Sequence, residues 1–421
     1  MLHNPRYKYY IEFNFIKSFL PNILHYGFIF CWTLLWIGTP IINNNFGFNY
    51  PTELIKASWV IYQTRILLFL LLIYLFTSKF KISVNFTIII ALIIWLIFVI
   101  ISWLYGVDPA RSWIGNYYRY DGIMTLVHLL IIPFFFIFNK PKLIQVTTIL
   151  IGIGCLLVSL ISINQVIHFL INNFNIHKLS TLSFSSTHGQ PNFTAGYLII
   201  SLPFLIYALR YFHISNRIKP LITLLPVLAI IFTQSRGGLL GLIVLAISYI
   251  ILNKSTKSII FISLIMTLGL IFFISKIYFN PATQYQAESR ARIFTTLGLS
   301  IYTRPQGWGW ANIDHAFEYK DWPVVRNDDV YLDKAHSEWL ELAVATGILG
   351  LISFLFLQIL AIKNIFASRS DNLFQATLIS LTTYIIHSQT NVISISEQAI
   401  FWALVGFALA KSSTISSHKN P

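Results

Sequence analysis

Apolar runs of about 20 residues recur along this chain, and they constrain its fold more than any other feature. A bilayer core about 30 Å thick is crossed by roughly 20 residues of helix. In that core every backbone polar group must be bonded within the protein, so only helices and closed barrels span it. Charged residues make up 10% of the chain, against roughly 25% in soluble domains. The sequence therefore predicts an all-α, polytopic integral membrane protein.

About twelve runs fit membrane spans, and together they predict that residues 1–421 form a single membrane domain. The predicted spans are 23–42, 58–77, 84–105, 122–139, 143–170, 191–211, 218–234, 237–253, 258–279, 338–362, 373–391 and 395–411. No small-residue cleavage site follows the first run, so we interpret it as an uncleaved span and not as a signal peptide. Cys31 and Cys155 lie inside apolar runs and outside any metal-binding or CxxC pattern, which favours packing roles.

Basic residues alternate between successive loops, which predicts the orientation of the chain. One set of loops holds Arg6, Lys8, Lys17, Lys79, Lys81, Lys140, Lys142, Arg210, Arg217, Lys219, Lys254, Lys257, Lys363, Arg369, Lys411 and Lys419. The short loops of the other set hold only Lys56, Arg111, Arg119, Lys178 and Arg236. We expect a protein of the inner membrane with both termini in the cytoplasm. Segment 280–337 is then expected on the extracytoplasmic side of that membrane. The net charge of +14 then reflects topology and lipid headgroups, with no nucleic acid as partner.

Segment 280–337 is the one long polar stretch of the sequence, and it predicts a large extracytoplasmic loop. Within it, residues 282–302 predict an amphipathic surface helix, because Ile293, Leu297 and Ile301 recur every four residues. Arg304-Pro305 ends that helix. The following run Gly307-Trp308-Gly309-Trp310 predicts a turn whose backbone approaches another element closely.

Arginines in the outward turns are candidates for anion binding. Arg236 precedes Gly237 at a predicted helix start, where a guanidinium and free N–H groups suit phosphate. Arg292, with Arg290 beside it on the surface helix, and Arg119 in an aromatic turn are further candidates. The structural alternatives are snorkelling at the interface and, for Arg119, neutralisation by Asp121. Arg65, inside the second span, is expected to be paired within the bundle.

His336 begins the tenth span and is the candidate catalytic residue. Imidazole exchanges a proton near neutral pH, which suits activation of a hydroxyl. Small residues further along the span, such as Ala343 and Gly347, allow the tight packing that would fix its position. Glu338 and Glu341 are near enough to orient the imidazole, or they remain solvated. Since no metal-ligand spacing or nucleotide-binding glycine motif occurs, we expect a metal-free site where arginines neutralise pyrophosphate.

Several short motifs resemble those of the O-antigen ligase and O-antigen polymerase superfamily of bacterial envelope enzymes. The matching pieces are Tyr118-Arg119-Tyr120-Asp121-Gly122, Gly189-Gln190-Pro191-Asn192-Phe193-Thr194-Ala195-Gly196, Thr233-Gln234-Ser235-Arg236-Gly237-Gly238, Arg292 with Pro305 and Gly307-Trp308-Gly309, and His336-Ser337-Glu338-Trp339-Leu340 through Gly347-Ile348-Leu349-Gly350. They span roughly residues 100–360. Their order and outward placement together make the resemblance specific.

The resemblance implies a helical membrane glycosyltransferase of lipopolysaccharide or polysaccharide biosynthesis. Such an enzyme takes a glycan from an undecaprenyl-pyrophosphate-type carrier and needs no metal or cofactor. By resemblance, Arg236 and Arg292 bind the pyrophosphate and His336 activates the acceptor hydroxyl for inverting attack. Asn192 and Gly309 lie in matching motifs and are expected to support the site. One position departs from the family: Thr296 stands where relatives often carry Trp.

Alternative functions remain open at this stage. The superfamily includes ligases, chain polymerases and protein O-oligosaccharyltransferases, and the motifs do not separate them. A transporter is the alternative from another class. Charges lining several spans near the midplane, or paired broken helices, would favour transport. The predicted spans carry few charges and the polar residues gather at one surface, so the sequence favours a transferase with its site on the outer face.

Overall fold

The computed structural model describes residues 24–44, 51–77, 84–138, 140–173, 183–253, 290–320, 332–367 and 371–410. All regular secondary structure in these ranges is helical, which confirms the all-α prediction. The predicted span 258–279, the first residues of the predicted surface helix and both chain ends lie outside the described residues.

Most helices coincide with predicted spans. They are α1 (Leu24–Ile41), α2 (Thr52–Thr77), α3 (Phe86–Tyr105), α4 (Pro109–Ile114), α5 (Ile123–Phe138), α6 (Lys140–Asn173), α7 (Pro191–Tyr211), α8 (Lys219–Thr233), α9 (Arg236–Asn253), α10 (Arg290–Thr303), α11 (Ile313–Glu318), α12 (Glu338–Phe366), α13 (Asn372–His387) and α14 (Ile395–Ala410). Helix α2 begins six residues before the predicted start at 58, because its first turns carry buried polar groups that hydropathy does not favour.

Six of the described helices, α1, α2, α3, α6, α7 and α12, are long and apolar enough to cross a membrane. Four more apolar helices, α5, α8, α9 and α14, are shorter. The chain is therefore a helical membrane protein, while the number of twelve spans stays a prediction. Large apolar side chains on α3, including Ile90, Ile97 and Leu104, are exposed, as expected of a surface that faces lipid.

The bundle is built around α7 and α14, whose residues are buried almost throughout. Helix α7 packs against α6, α8, α9 and α13, and α14 packs against α5. Because both central helices begin at the same end of the bundle as α9 and α12, the polar residues at those helix starts are brought close together.

Helix α12 is broken at Gly347, whose φ of 76° and ψ of 172° are not helical. The break frees the carbonyls of Val344 and Ala345, which accept hydrogen bonds from Trp308 N at 2.8 Å and Gly309 N at 3.0 Å. A Cβ on Gly307 would lie 2.3 Å from the Ala345 carbonyl oxygen. The close backbone approach predicted for the glycine-tryptophan turn is confirmed, and its partner is the kink of α12.

Helix α10 lies within the range predicted for the surface helix, and its position at the membrane surface stays a prediction. Its apolar residues Ile293 and Leu297 are completely buried, in a second small core with Trp308, Phe317 and Val344. The apolar face of α10 is thus covered by α11 and α12 of the protein itself. This packing joins α10 and α11 to the N-terminal half of α12.

Candidate functional site

The loop between α13 and α14, residues 388–394, lies at the centre of the candidate site. Its Ser388 carbonyl accepts a hydrogen bond from Glu338 N at 2.9 Å. Gln389 Oε1 accepts from Ser337 Oγ at 3.0 Å and from Trp339 N at 3.2 Å. The residues directly after His336 are therefore held by the 388–394 loop.

The same loop also contacts the helices that carry two of the predicted arginines. Arg290 donates a hydrogen bond from Nη1 to the Thr390 carbonyl. A Cβ on Gly237 would lie 1.6 Å from Asn391 Nδ2, so any larger residue would have to displace the Asn391 side chain. Ser235 Oγ accepts from Gly238 N at 3.1 Å and caps α9, which places the exposed Arg236 in its first turn.

The 388–394 loop is a part of the site that the sequence analysis missed. Its run Ser388-Gln389-Thr390-Asn391 forms the last residues of the predicted span 373–391, so the sequence analysis assigned it to a membrane helix. The available signal was four consecutive polar residues between two apolar helices. Such a stretch has no reason to be polar unless its side chains bond to something across the bundle.

Arg292 occupies a different side of α10 from Arg290. It is half-buried and lies two residues further along, about 200° around a helix that advances by 3.6 residues per turn. The structure therefore brings Arg290 to the 388–394 loop, while Arg292 points from another face of the same helix.

Arg119 is bound to a carboxylate within the protein. Its Nε lies 2.6 Å and its Nη2 lies 3.1 Å from the two oxygens of Asp333, a bidentate pair. Burial acts to lower the pKa of Arg119, but the hydrogen bond and charge of Asp333 outweigh it and hold that pKa above its ordinary value. The neutralising partner differs from the predicted Asp121, which is bound instead to Lys334 at 2.5 Å. Arg119 thus joins the aromatic turn to the segment before His336.

His336 is half-buried, with a backbone φ of 55° in the left-handed region. Among the described residues it makes no hydrogen bond. Burial disfavours the imidazolium ion, and the charges of Arg290 and Arg119 repel it, so that its pKa falls to about 4 although Asp333 opposes the shift. At neutral pH the ring is uncharged, and one of its nitrogens keeps a free electron pair.

The carboxylates near His336 bond to other groups. Glu338 accepts a hydrogen bond from the Tyr384 hydroxyl at 2.7 Å, and Glu341 pairs with Lys334 at 2.5 Å. Neither carboxylate is hydrogen-bonded to the imidazole, so the expectation that Glu338 orients the ring gains no support from the geometry. The hydrogen bonds that hold this part of the chain run from the 388–394 loop to the three residues directly after His336.

The other predicted residues are placed as follows. Asn192 is exposed at the second position of α7, and its neighbour Phe193 lies under the Arg119 guanidinium, 5.7 Å from ring centroid to Cζ. Gly309, with φ of 109°, packs against Gly106, the residue that follows α3. Its N–H donates to the Ala345 carbonyl at the kink of α12, so Gly309 supports the fold there. Arg65 is paired as predicted, since its Nε donates to His128 Nε2 at 3.1 Å, but it lies exposed on the surface of the bundle and not within it.

Buried ionisable groups near the same end of the bundle were not predicted. Lys56 is fully buried and donates to the carbonyls of Thr39 and Pro40, and Glu53 accepts from Ile395 N at 2.8 Å. Glu397 lies 3.6 Å from His387, both with fully buried side chains. Because these groups lie in the first or last turns of α2, α13 and α14, they do not form a path through the midplane of the kind that would favour transport. Within the described ranges no three His, Cys, Asp or Glu side chains are grouped to hold a metal ion.

A cleft opens beside Glu338. Its lining includes the aromatic residues Trp95, Trp310 and Trp402. Aliphatic side chains and polar groups such as Lys334 and Asn391 line the remainder.

Comparison with known proteins agrees with the resemblance seen in the sequence. Residues 221–355 match the family model described as O-antigen ligase. The matched region begins in α8, includes the two arginines on α10, Arg236 and His336, and ends in α12 beyond its kink. A comparison with curated proteins found no match.

Proposed function

The chain carries an O-antigen ligase family region, and from this premise we propose that it moves a glycan from an undecaprenyl-pyrophosphate-type carrier to an acceptor hydroxyl. A membrane enzyme that transfers glycans is the activity that the family implies. We propose further that transfer inverts the anomeric carbon, needs no metal and takes place on the outer face of the inner membrane. The observation that carries the proposal is that one loop, 388–394, makes three contacts. It packs against Gly237, which follows Arg236, it accepts a hydrogen bond from Arg290, and it holds the residues that follow His336.

The arginines would hold the donor pyrophosphate. Arg236 lies in the first turn of α9, where free backbone N–H groups and a guanidinium both attract phosphate oxygens. Arg290 approaches the same loop from α10, and Arg292 adds a third cation on that helix. Charge builds up on the pyrophosphate as it leaves, so fixed cations stabilise the transition state more than the ground state. Arg119, already paired with Asp333, contributes its field and not a direct contact.

His336 would accept the proton of the acceptor hydroxyl. The hydroxyl oxygen forms a bond to the anomeric carbon while the bond from that carbon to the phosphate oxygen breaks. The bonding pair leaves with the pyrophosphate, and the proton goes to the imidazole. With a pKa of about 4 the free imidazole is a weak base. A bound pyrophosphate would cancel the repulsion from Arg290 and Arg119 and so strengthen the base once the donor is present.

A transfer assay with purified chain in proteoliposomes tests the proposal. The sample contains lipid-linked glycan donor, acceptor and a metal chelator. We expect transfer by the unchanged chain and a loss of about 100-fold or more in His336→Ala, the usual range for a general base. The matched control is His213→Ala, since His213 is exposed and shares a positive φ of 52°. Full activity in His336→Ala would refute the assignment.

The products of the same assay assign the acceptor class. A ladder that grows by repeat units indicates a polymerase, a single transfer to a lipid-linked core indicates a ligase, and glycan on a polypeptide indicates a protein O-oligosaccharyltransferase. The family region is common to these reactions, and the geometry of the site favours none of them.

A further inference from the structure

The cleft beside Glu338 differs in chemistry from the arginine-bearing side of the 388–394 loop. Asp121, Glu338 and Glu341 contribute acidic groups to its wall, and Lys334 is the one cation among its described lining residues. No arginine lines it within the described ranges. Lys334 is paired with both Asp121 and Glu341, so the described lining offers no unpaired cation to bind a pyrophosphate.

The depth of the cleft is aromatic. Trp95 contacts Trp310 and Trp402, with ring centroids 6.1 Å and 5.4 Å apart, and Phe354 lies 5.3 Å from Trp95. Aromatic side chains that line a cleft suit a ligand that has apolar faces of similar size. The C–H faces of a sugar ring meet this requirement.

Two polar atoms in the wall have no hydrogen-bond partner among the described residues. They are Glu338 Oε2 and Trp95 Nε1, and Trp95 is only 1% exposed. A buried polar atom without a partner costs about 1–3 kcal/mol, so such atoms usually mark a missing ligand or water. The carboxylate oxygen accepts and the indole N–H donates. A hydroxyl group can satisfy either one.

We propose that this cleft seats the acceptor sugar, and that the sugar is uncharged or an amino sugar. The proposal rests on the proposed function, since it supplies the hydroxyl on which His336 would act. Glu338 accepts a hydrogen bond from a sugar hydroxyl or amine, and the tryptophans cover the ring. A phosphorylated sugar or a uronic acid would find no unpaired cation in the described lining. An isoprenoid chain would leave Glu338 Oε2 and Trp95 Nε1 against hydrocarbon without a partner, which is costly.

Binding of simple glycosides to the purified full-length chain, without donor, tests the cleft. The probes are methyl glucoside, methyl glucosaminide and methyl glucuronide, with farnesol as the isoprenoid. Titration calorimetry reports affinity, and tryptophan fluorescence reports the site. We expect the first two glycosides to bind at least about 10-fold more tightly than the glucuronide, which is a difference in binding free energy of about 1.4 kcal/mol. Equal binding of the glucuronide, or displacement of the glucoside by farnesol, would overturn the proposal.

Two variants locate the binding. Glu338→Gln keeps the shape and can still bond to Tyr384, so we expect a folded chain with about 10-fold weaker glucoside binding and less rejection of the glucuronide. Trp310→Leu should weaken both favoured glycosides. The controls are Glu318→Gln and Trp113→Leu, which change exposed residues outside the cleft. Unchanged affinity in both Glu338→Gln and Trp310→Leu would show that the sugar binds elsewhere.

The outcomes separate this inference from the proposed function. If the chain binds glycosides in the cleft but transfers no glycan, the proposed transferase function is refuted and the proposed sugar site in the cleft stands. A chain that transfers glycan with an unchanged acceptor KM in both cleft variants would refute the cleft alone.

Discussion

His336 owes its low pKa to its neighbours, and this has a consequence for stability as well as for catalysis. The folded pKa of about 4 lies below the ordinary value of 6.5, because burial and the arginine charges disfavour the imidazolium ion. A histidine with a lowered folded pKa stabilises the fold above its unfolded pKa. That contribution is lost as pH falls from about 6.5 towards 4. Acid therefore removes stability and the active form of the residue together.

The pH dependence of transfer should differ between the free and the donor-bound enzyme. For donor kcat/KM, which reports the free enzyme, we expect a constant value near neutral pH and a fall towards pH 4. For kcat, which reports the bound enzyme, the acidic fall should lie at higher pH, because the pyrophosphate offsets the arginine charges.

Arg290→Gln should move the acidic limb of kcat/KM to higher pH as well, by removing one of the repelling charges. Arg217→Gln, an exposed arginine outside the matched motifs, is the control and should leave the limb in place. Both profiles come from initial rates across the pH range. Coincident limbs for kcat and kcat/KM would contradict the electrostatic account.

Gln389 is expected to position His336 without touching either substrate. Gln389→Leu removes the acceptor for Ser337 Oγ and Trp339 N, so turnover should fall about 10-fold while donor affinity stays constant. Gln389→Glu keeps an acceptor and should restore part of the rate. Gln375→Leu, near the other end of α13, is the control. A parallel loss of donor affinity would indicate general damage to the site.

Among the elements, the kink of α12 and the turn that packs on it determine where the N-terminal half of that helix lies. The backbone conformation at Gly347 is one that is essentially restricted to glycine. A Cβ there would also lie 2.3 Å from the Pro305 carbonyl oxygen. Because Val344 also packs on α10, a shift at this kink would move α10 and the start of α12 together.

Gly347→Ala should therefore destabilise the chain by at least about 1–3 kcal/mol, the usual cost of such a strained backbone. Gly298→Ala is the matched control, since Gly298 is helical and a Cβ there meets nothing within 4 Å. That substitution should be neutral or stabilising by about 0.5–1 kcal/mol. Thermal unfolding in detergent compares the two variants. Equal melting temperatures for Gly347→Ala and Gly298→Ala would show that the kink of α12 accepts a side chain at residue 347 without strain.

For the whole molecule, the site end of the bundle is expected to face outward. In a chain with Cys31 and Cys155 replaced by serine, a cysteine at exposed Tyr117 should react with a membrane-impermeant maleimide in intact cells. A cysteine at exposed Asn216, in the loop between α7 and α8, should react only after permeabilisation. The reverse pattern would place the site in the cytoplasm and exclude the predicted orientation.

Hydropathy was enough to predict the helices, because crossing a bilayer demands a long apolar run whatever the neighbours are. Local chemistry was enough to single out Arg236 beside Gly237 at a helix start. The pairing of Arg119 with Asp333 joins residues 214 apart, and no local pattern encodes such a contact. Lys56 was assigned to a loop by its charge, yet nearby backbone carbonyls satisfy it inside the bundle.

Donor affinity and turnover, measured on the same reconstituted samples, test the central claim most directly. The claim is that arginines hold the pyrophosphate and His336 acts on the acceptor. We predict that His336→Ala binds polyprenyl pyrophosphate with unchanged affinity and transfers almost no glycan. Arg236→Gln and Arg290→Gln should each weaken that affinity by about 10- to 100-fold, as expected for a lost charge-assisted hydrogen bond. Arg217→Gln is the control and should change neither donor affinity nor turnover. Normal turnover in His336→Ala, or unchanged affinity in both arginine variants, would contradict the account.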